Sequence, residues 1–100
     1  MVKQYEHKLY VPTVYGLILH NLKEQLAEEH GGCSRVLLHG SWKSEDLDIC
    51  SEPIALISCI TDKWYRPTAM DRAANALLAA GEESVLYTKQ EIHAEFMSHD

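Results

Sequence analysis

The residues with the plainest chemical potential lie in the run RVLLHGSWKSEDLDIC, from Arg35 to Cys50. Val36, Leu37 and Leu38 read as an apolar strand and Gly40-Ser41 as a small corner at its end. Asp46 and Asp48 take alternate positions on a strand that follows. Residues two apart in a strand point to the same face, so the two carboxylates would stand side by side. A carboxylate pair suits a hard, oxygen-seeking cation such as magnesium, and a glycine-serine corner has room for a phosphate. The chemistry would be metal-assisted transfer of a phosphate-bearing group. A plainer reading fits the same residues better. Glu45, Asp46, Asp48 and Glu52 make a negative patch of the kind that keeps an edge strand solvated and unpaired.

The Gly40-Ser41 and Asp46/Asp48 pattern resembles part of the minimal nucleotidyltransferases. There a helix leads to a strand, a Gly-Ser turn and an Asp-x-Asp pair that holds magnesium for a nucleotide triphosphate. The resemblance implies Ser41 at a phosphate and Asp46 and Asp48 at the metal, with the helix ending near His30 in front of them. It covers only this stretch and departs from the family in two respects. Only Trp42, Lys43, Ser44 and Glu45 separate the Gly-Ser from the first aspartate, where the family has a longer segment. No third carboxylate stands on Ile54 to Thr61. A short match of this kind needs its structural context before it carries a function.

A second set of residues suggests binding without catalysis. Trp42 and the loop residues Trp64, Tyr65 and Arg66 are of the types enriched in binding hot spots. Either they fold back on the core or they serve a ligand or a partner. The six histidines, His7, His20, His30, His39, His93 and His99, show no helical pairing and join no cysteine in a zinc spacing. His7 and His39 fall on strand faces expected to be partly buried, where a hydrogen-bonded core histidine is the default. Cys33, Cys50 and Cys59 are odd in number and contain no C-x-x-C. They read as packed thiols of a reducing compartment rather than a disulfide framework. For nucleophilic chemistry at Cys50 or Cys59, His39 is the nearest candidate base.

The elements that must position these residues follow from periodicity. Tyr5, His7, Leu9 and Val11 alternate as one face of a strand over residues 3–11. Pro12 stops it, and Thr13 is placed to cap a helix running to His30. Tyr15, Ile18, Leu19, Leu22 and Leu26 form that helix's apolar stripe, and Gly31-Gly32 end it. A strand from Cys33 to His39 and a short one near Leu47 to Cys50 would make a hairpin. Ile54 to Thr61 is apolar on both faces, as in a central strand covered on both sides by helix or by a partner chain. Thr68 and Asp71 open a second helix with Met70, Ala73, Ala74, Leu77 and Leu78 inward. Ser84 to Tyr87 reads as a last strand. Thr88-Lys89-Gln90-Glu91 spells a capping box for a third helix, with Ile92 and Phe96 on its apolar face.

Residues 1–100 are therefore expected to form one α+β domain. Its sheet is mainly antiparallel or mixed, with four to five strands covered by two to three helices. The composition is ordinary for a soluble globular chain, 46% hydrophobic and 24% charged. The net charge is -6 with nine scattered basic residues. Phosphate neutralisation supplies much of nucleic-acid affinity, so a nucleic-acid-binding regulator ranks last, although Thr88 to Met97 has the outline of a DNA-reading helix. Anionic membranes are disfavoured for the same reason. The polar N-terminal run is not of signal-peptide type, which makes the cytoplasm the default location. The sequence thus points to a small interaction or ligand-binding module that works as a homodimer. It calls for no cofactor, and its partner is a small molecule or a protein. A magnesium-dependent nucleotidyl-transfer enzyme is the alternative.

Overall fold

The computed structural model describes residues 3–43 and 49–98, with the side chains of Trp42, Ile49 and Cys50 also outside the description. Four strands and two helices follow in the order β1 (Gln4–Pro12), α1 (Gly16–His30), β2 (Ser34–Lys43), β3 (Ile49–Thr61), α2 (Thr68–Ala79) and β4 (Tyr87–Ile92). The strands form one sheet in the order β2-β3-β1-β4, and every neighbouring pair is antiparallel. The fold is α+β.

Alternation along the strands decides where the core sits. His7, Leu9 and Val11 of β1 point the same way as their neighbours Ala55, Ile57, Cys59 and Thr61 on β3, and all are buried. Leu19, Leu22 and Leu26 of α1 and Ala69, Met70, Ala73 and Leu77 of α2 close over this face as one cluster. Small residues on α2 let the helix come close, and each fully enclosed leucine contributes about 1.5–3 kcal/mol of transfer free energy. Both helices lie on one side of the sheet, so the molecule has two layers and, among the described residues, no helix lies over its second sheet face.

The uncovered face carries Ile54, Leu56, Ser58 and Ile60 of β3, all partly exposed. Beside them the ladder places Val36 and Leu38 of β2 and Tyr10, Lys8 and Glu6 of β1. The expected two-sided apolar strand is thus central, but the chain's own helices shield only one of its sides. β2 is the more extreme case. It is an edge strand, and Val36, Leu37 and Leu38 are 51%, 64% and 38% exposed, alternating between its two faces.

Several local expectations are corrected. Ile49 and Cys50 of the short strand expected near Leu47 to Cys50 run without a break into the strand from Ile54 as β3, through Pro53, while Leu47 and Asp48 lie outside the described residues. Proline is tolerated there because the Pro53 carbonyl accepts from Thr13 N at 3.1 Å, on the side where β1 has already ended. The nitrogen of a strand residue points the same way as its carbonyl, so no ladder bond is lost. No side chain caps α1, which starts at Gly16 behind a turn, so Thr13 does not serve as its cap. Gly31 closes that helix in the left-handed conformation, as expected, at φ 81° with its N–H on Ala27 O. At α2, Asp71 pairs with Arg66 instead of completing a capping box with Thr68. The third helix is absent: residues 88–92 form β4, which pairs with β1 from Leu9↔Tyr87 to Gln4↔Ile92. That ladder outweighs the local capping signal, and residues 93–98 follow without regular structure.

The molecule is elongated, 55 × 25 × 22 Å. Its Cα radius of gyration is 14.9 Å, against about 13 Å for a compact chain of this size. The excess comes from the β2–β3 ladder, which runs past the end of β1 to the pair Lys43↔Ile49. No helix among the described residues is long and apolar enough to cross a membrane.

Candidate binding surface at the aromatic loop

Thr61 ends β3 and Thr68 begins α2, and the loop between them is tied down at several points. The anchor is His7, whose ring is fully buried. Its Nε2 lies 3.0 Å from the Lys63 carbonyl and 3.1 Å from Thr61 Oγ1. A carbonyl only accepts, so Nε2 carries the proton and donates. Nδ1 is then bare and accepts from the Tyr87 hydroxyl at 2.7 Å. Thr61 Oγ1 also accepts from Lys63 N at 3.1 Å, which closes the turn. Burial, the nearby Lys89 charge and His30 hold the His7 pKa below its usual value despite the Lys63 carbonyl, so the ring is neutral at pH 7. Burial of the Tyr87 hydroxyl raises its pKa, which keeps it a donor.

Two cations finish the clamp. The Arg66 guanidinium lies 5.1 Å over the Tyr87 ring and pairs with Asp71 in the first turn of α2. The Lys89 ammonium donates to the Trp64 carbonyl at 2.8 Å and sits 5.1 Å over the Trp64 ring. Trp64 and Tyr65 meet edge to face with centroids 6.2 Å apart, and they remain 66% and 54% exposed. The outcome is an exposed aromatic corner flanked by the Lys89 ammonium and by Arg66, the latter paired with Asp71. It offers stacking area and positive charge.

Trp64, Tyr65 and Arg66 are thus together, whereas Trp42 is not with them. Trp42 pairs with Cys50 near the far end of the hairpin. At a rise of about 3.3 Å per residue, β3 carries Thr61 roughly 36 Å from that rung. Sequence reasoning overlooked Lys89, Tyr87 and the clamping role of His7. The alternation of His7 with Leu9 and Val11 was the available signal, but the long-range partners were not.

The Gly40-Ser41 corner is also corrected. Both residues lie inside the ladder, opposite Glu52 and Ser51. A Cβ on Gly40 would stand 2.8 Å from Ile54 Cγ1, so its space is already filled. Ser41 Oγ is 3.0 Å from Ser51 Oγ. Asp46 and Asp48, with Glu45, lie outside the described residues. Glu52 of the same expected patch is described, and its carboxyl pKa is raised by burial and by Glu82. Among the described residues no three His, Cys, Asp or Glu side chains converge as metal ligands. His39, expected to be partly buried, is exposed opposite Pro53. Cys50 and Cys59 sit on the same strand rather than on neighbours, and burial pushes the Cys59 thiol up to about 11.

The βαββαβ order with this sheet arrangement places the chain in the ferredoxin-like class of α+β folds. Within that class the solved structures it is similar to include three from Bacillus. A Bacillus cereus protein related to NIF3 matches at TM-score 0.60 and 14% identity, over 92% of this chain but only 26% of that one. B. subtilis GlnK in its complex with ATP matches at TM-score 0.59 and 10% identity, over 93% of this chain and 86% of that one. Another B. subtilis GlnK structure matches at 0.56 and 14%, over 90% and 85%. At such identities the likeness is one of fold. No protein-family model matches the sequence, and no curated protein is similar to it in sequence.

Proposed function

We propose that this chain is a non-catalytic small-ligand-binding module that works as a homo-oligomer, a homodimer being the simplest form, in the cytoplasm. One observation carries the reading. Ile54, Leu56 and Ile60, with Val36 and Leu38 beside them, lie on a sheet face that no helix covers among the described residues. A contiguous apolar patch on a small chain marks an interaction site, and a second copy of the same chain is the simplest cover. The apolar edge strand β2 adds to the demand for a partner. The aromatic corner at Trp64 and Tyr65, with Lys89 and Arg66, is the ligand or partner contact of this reading. ATP is the first ligand to try, since GlnK of similar fold was solved with it. Phosphates suit the Lys89 ammonium, and an adenine suits the exposed indole.

Light scattering on purified protein at micromolar concentration tests the assembly. The expected result is a dimer or larger closed oligomer that Leu56→Lys breaks into monomers. A monomeric native protein would overturn the oligomer. Thermal melts with excess ATP, with and without magnesium, test the ligand. A ligand at 100 times its Kd stabilises the folded state by about 2.7 kcal/mol. No shift in either condition would remove ATP from the reading.

A further inference from the structure

The β2–β3 ladder begins at Ser34↔Ser58. Continuing that register one step past the end of β2 sets Cys33 opposite Cys59. The alternation that sends Cys59 inward with Ile57 gives Cys33 the same side. Both residues line a cavity of about 240 Å³ at the end of α1, together with His30, Gly31, Glu6 and Phe96. Cys59 is 2% exposed, whereas Cys33 is partly open and both thiols are free. Residues directly opposite on antiparallel strands have Cα atoms about 4.5–5.5 Å apart. That separation lies inside the range a disulfide spans, about 4.4–6.8 Å.

We propose that Cys33 and Cys59 form a reversible cross-strand disulfide, so that this cavity is a dithiol site addressed by small-molecule disulfides of the glutathione type. The Cys33 thiol, reached through the cavity, loses its proton to solvent. Its thiolate attacks one sulfur of the small disulfide and expels a thiolate, leaving a mixed disulfide on Cys33. The Cys59 thiol then loses its proton, and its sulfur attacks Cys33 Sγ and expels the second small thiolate. Two protein thiols are oxidised by two electrons, and one small disulfide becomes two thiols. Cys33 is the entry point because of its exposure, and Cys59 closes the bond because of its place across the ladder. Disulfides of reducing compartments are typically transient and redox-sensing, and a bond between a buried and a half-open cysteine suits that use. Once formed, it pins the segment leaving α1 to β3 in the cavity wall. Burial pushes the Cys59 thiol up, which makes ring closure the slow step. Closure therefore accelerates about tenfold per pH unit between pH 7 and 9, with the thiolate fraction.

The test incubates the folded native protein with oxidised glutathione and maps its disulfides under non-reducing conditions by mass spectrometry. The expected product is a chain lighter by two hydrogens and not cross-linked to another, with Cys33 linked to Cys59, and dithiothreitol reverses it. Cys33→Ser should leave Cys59 reduced under the same conditions. A mixed disulfide that persists on Cys33 through pH 9 would overturn the proposal. So would bonds that involve only Cys50, or a native protein that gains no bond. A Cys59→Ala variant that still traps glutathione on Cys33 separates the entry step from closure. If Cys59 is instead modified in Cys33→Ser, the assigned order is wrong.

Discussion

Tyr87→Phe isolates the hydrogen bond that fixes the aromatic loop. It deletes one oxygen and leaves the ring, and with it the Arg66 contact. What changes is Nδ1 of His7, a fully enclosed acceptor 2.7 Å from the lost hydroxyl. A buried polar atom left without a partner costs about 1–3 kcal/mol. For a chain of this size each kcal/mol shifts Tm by about 4–8 °C, so the variant should melt roughly 4–24 °C lower. Differential scanning calorimetry at pH 7.5 reads that shift. The second arm is the double variant His7→Leu with Tyr87→Phe. When both partners become apolar, no orphaned nitrogen remains, so the two losses should fall short of additivity by about 0.5–3 kcal/mol. A Tyr87→Phe protein within about 0.5 kcal/mol of the parent, which is the scatter of ordinary surface substitutions, would refute the clamp. So would strict additivity in the double variant.

Other expectations follow from the same structure. His7 is neutral when folded and its pKa is lowered, so the unfolded chain binds the extra proton first. Stability should hold above about pH 6.5 and fall as pH drops from there toward the folded-state value, and urea titrations across pH 5 to 8 read it. The fall should be absent in His7→Leu. Leu26→Ala empties a fully buried site between α1 and the sheet and should cost about 2–5 kcal/mol in urea unfolding. Leu78→Ala on the 48% exposed side of α2 should stay within about 0.5 kcal/mol. Under the binding reading, Asp48→Asn changes neither Tm nor its response to magnesium and ATP. Loss of that response in the variant would move the ligand to the carboxylates.

The fold was legible where the signal was local and periodic. The alternation of β1 and the stripes of α1 and α2 specify those elements, and Gly31 specifies the end of α1. The capping box Thr88 to Glu91 misled because its competitor was a distant strand: Gln4 to Leu9 supply the ladder that makes residues 87–92 a strand. The span of β3 was hidden by Ser51, Glu52 and Pro53, which look like a break unless one knows that β1 ends at Pro12. The aromatic loop stood out by residue type. Its fastening did not, since His7, Tyr87 and Lys89 lie far from it in sequence and only the β3-β1-β4 order brings them together.

Most strands cannot slide, because moving one residue along would turn their greasy side outward. β3 lacks that safeguard, since Ile54, Leu56 and Ile60 would fill the interior about as well as Ala55, Ile57 and Cys59. Its alignment is held by single fixtures: Gly40 seated against Ile54, Thr13 bonded to Pro53, and Thr61 locked to His7. Loosening these pegs, rather than thinning the interior, is the route by which this chain would settle into a shifted sheet.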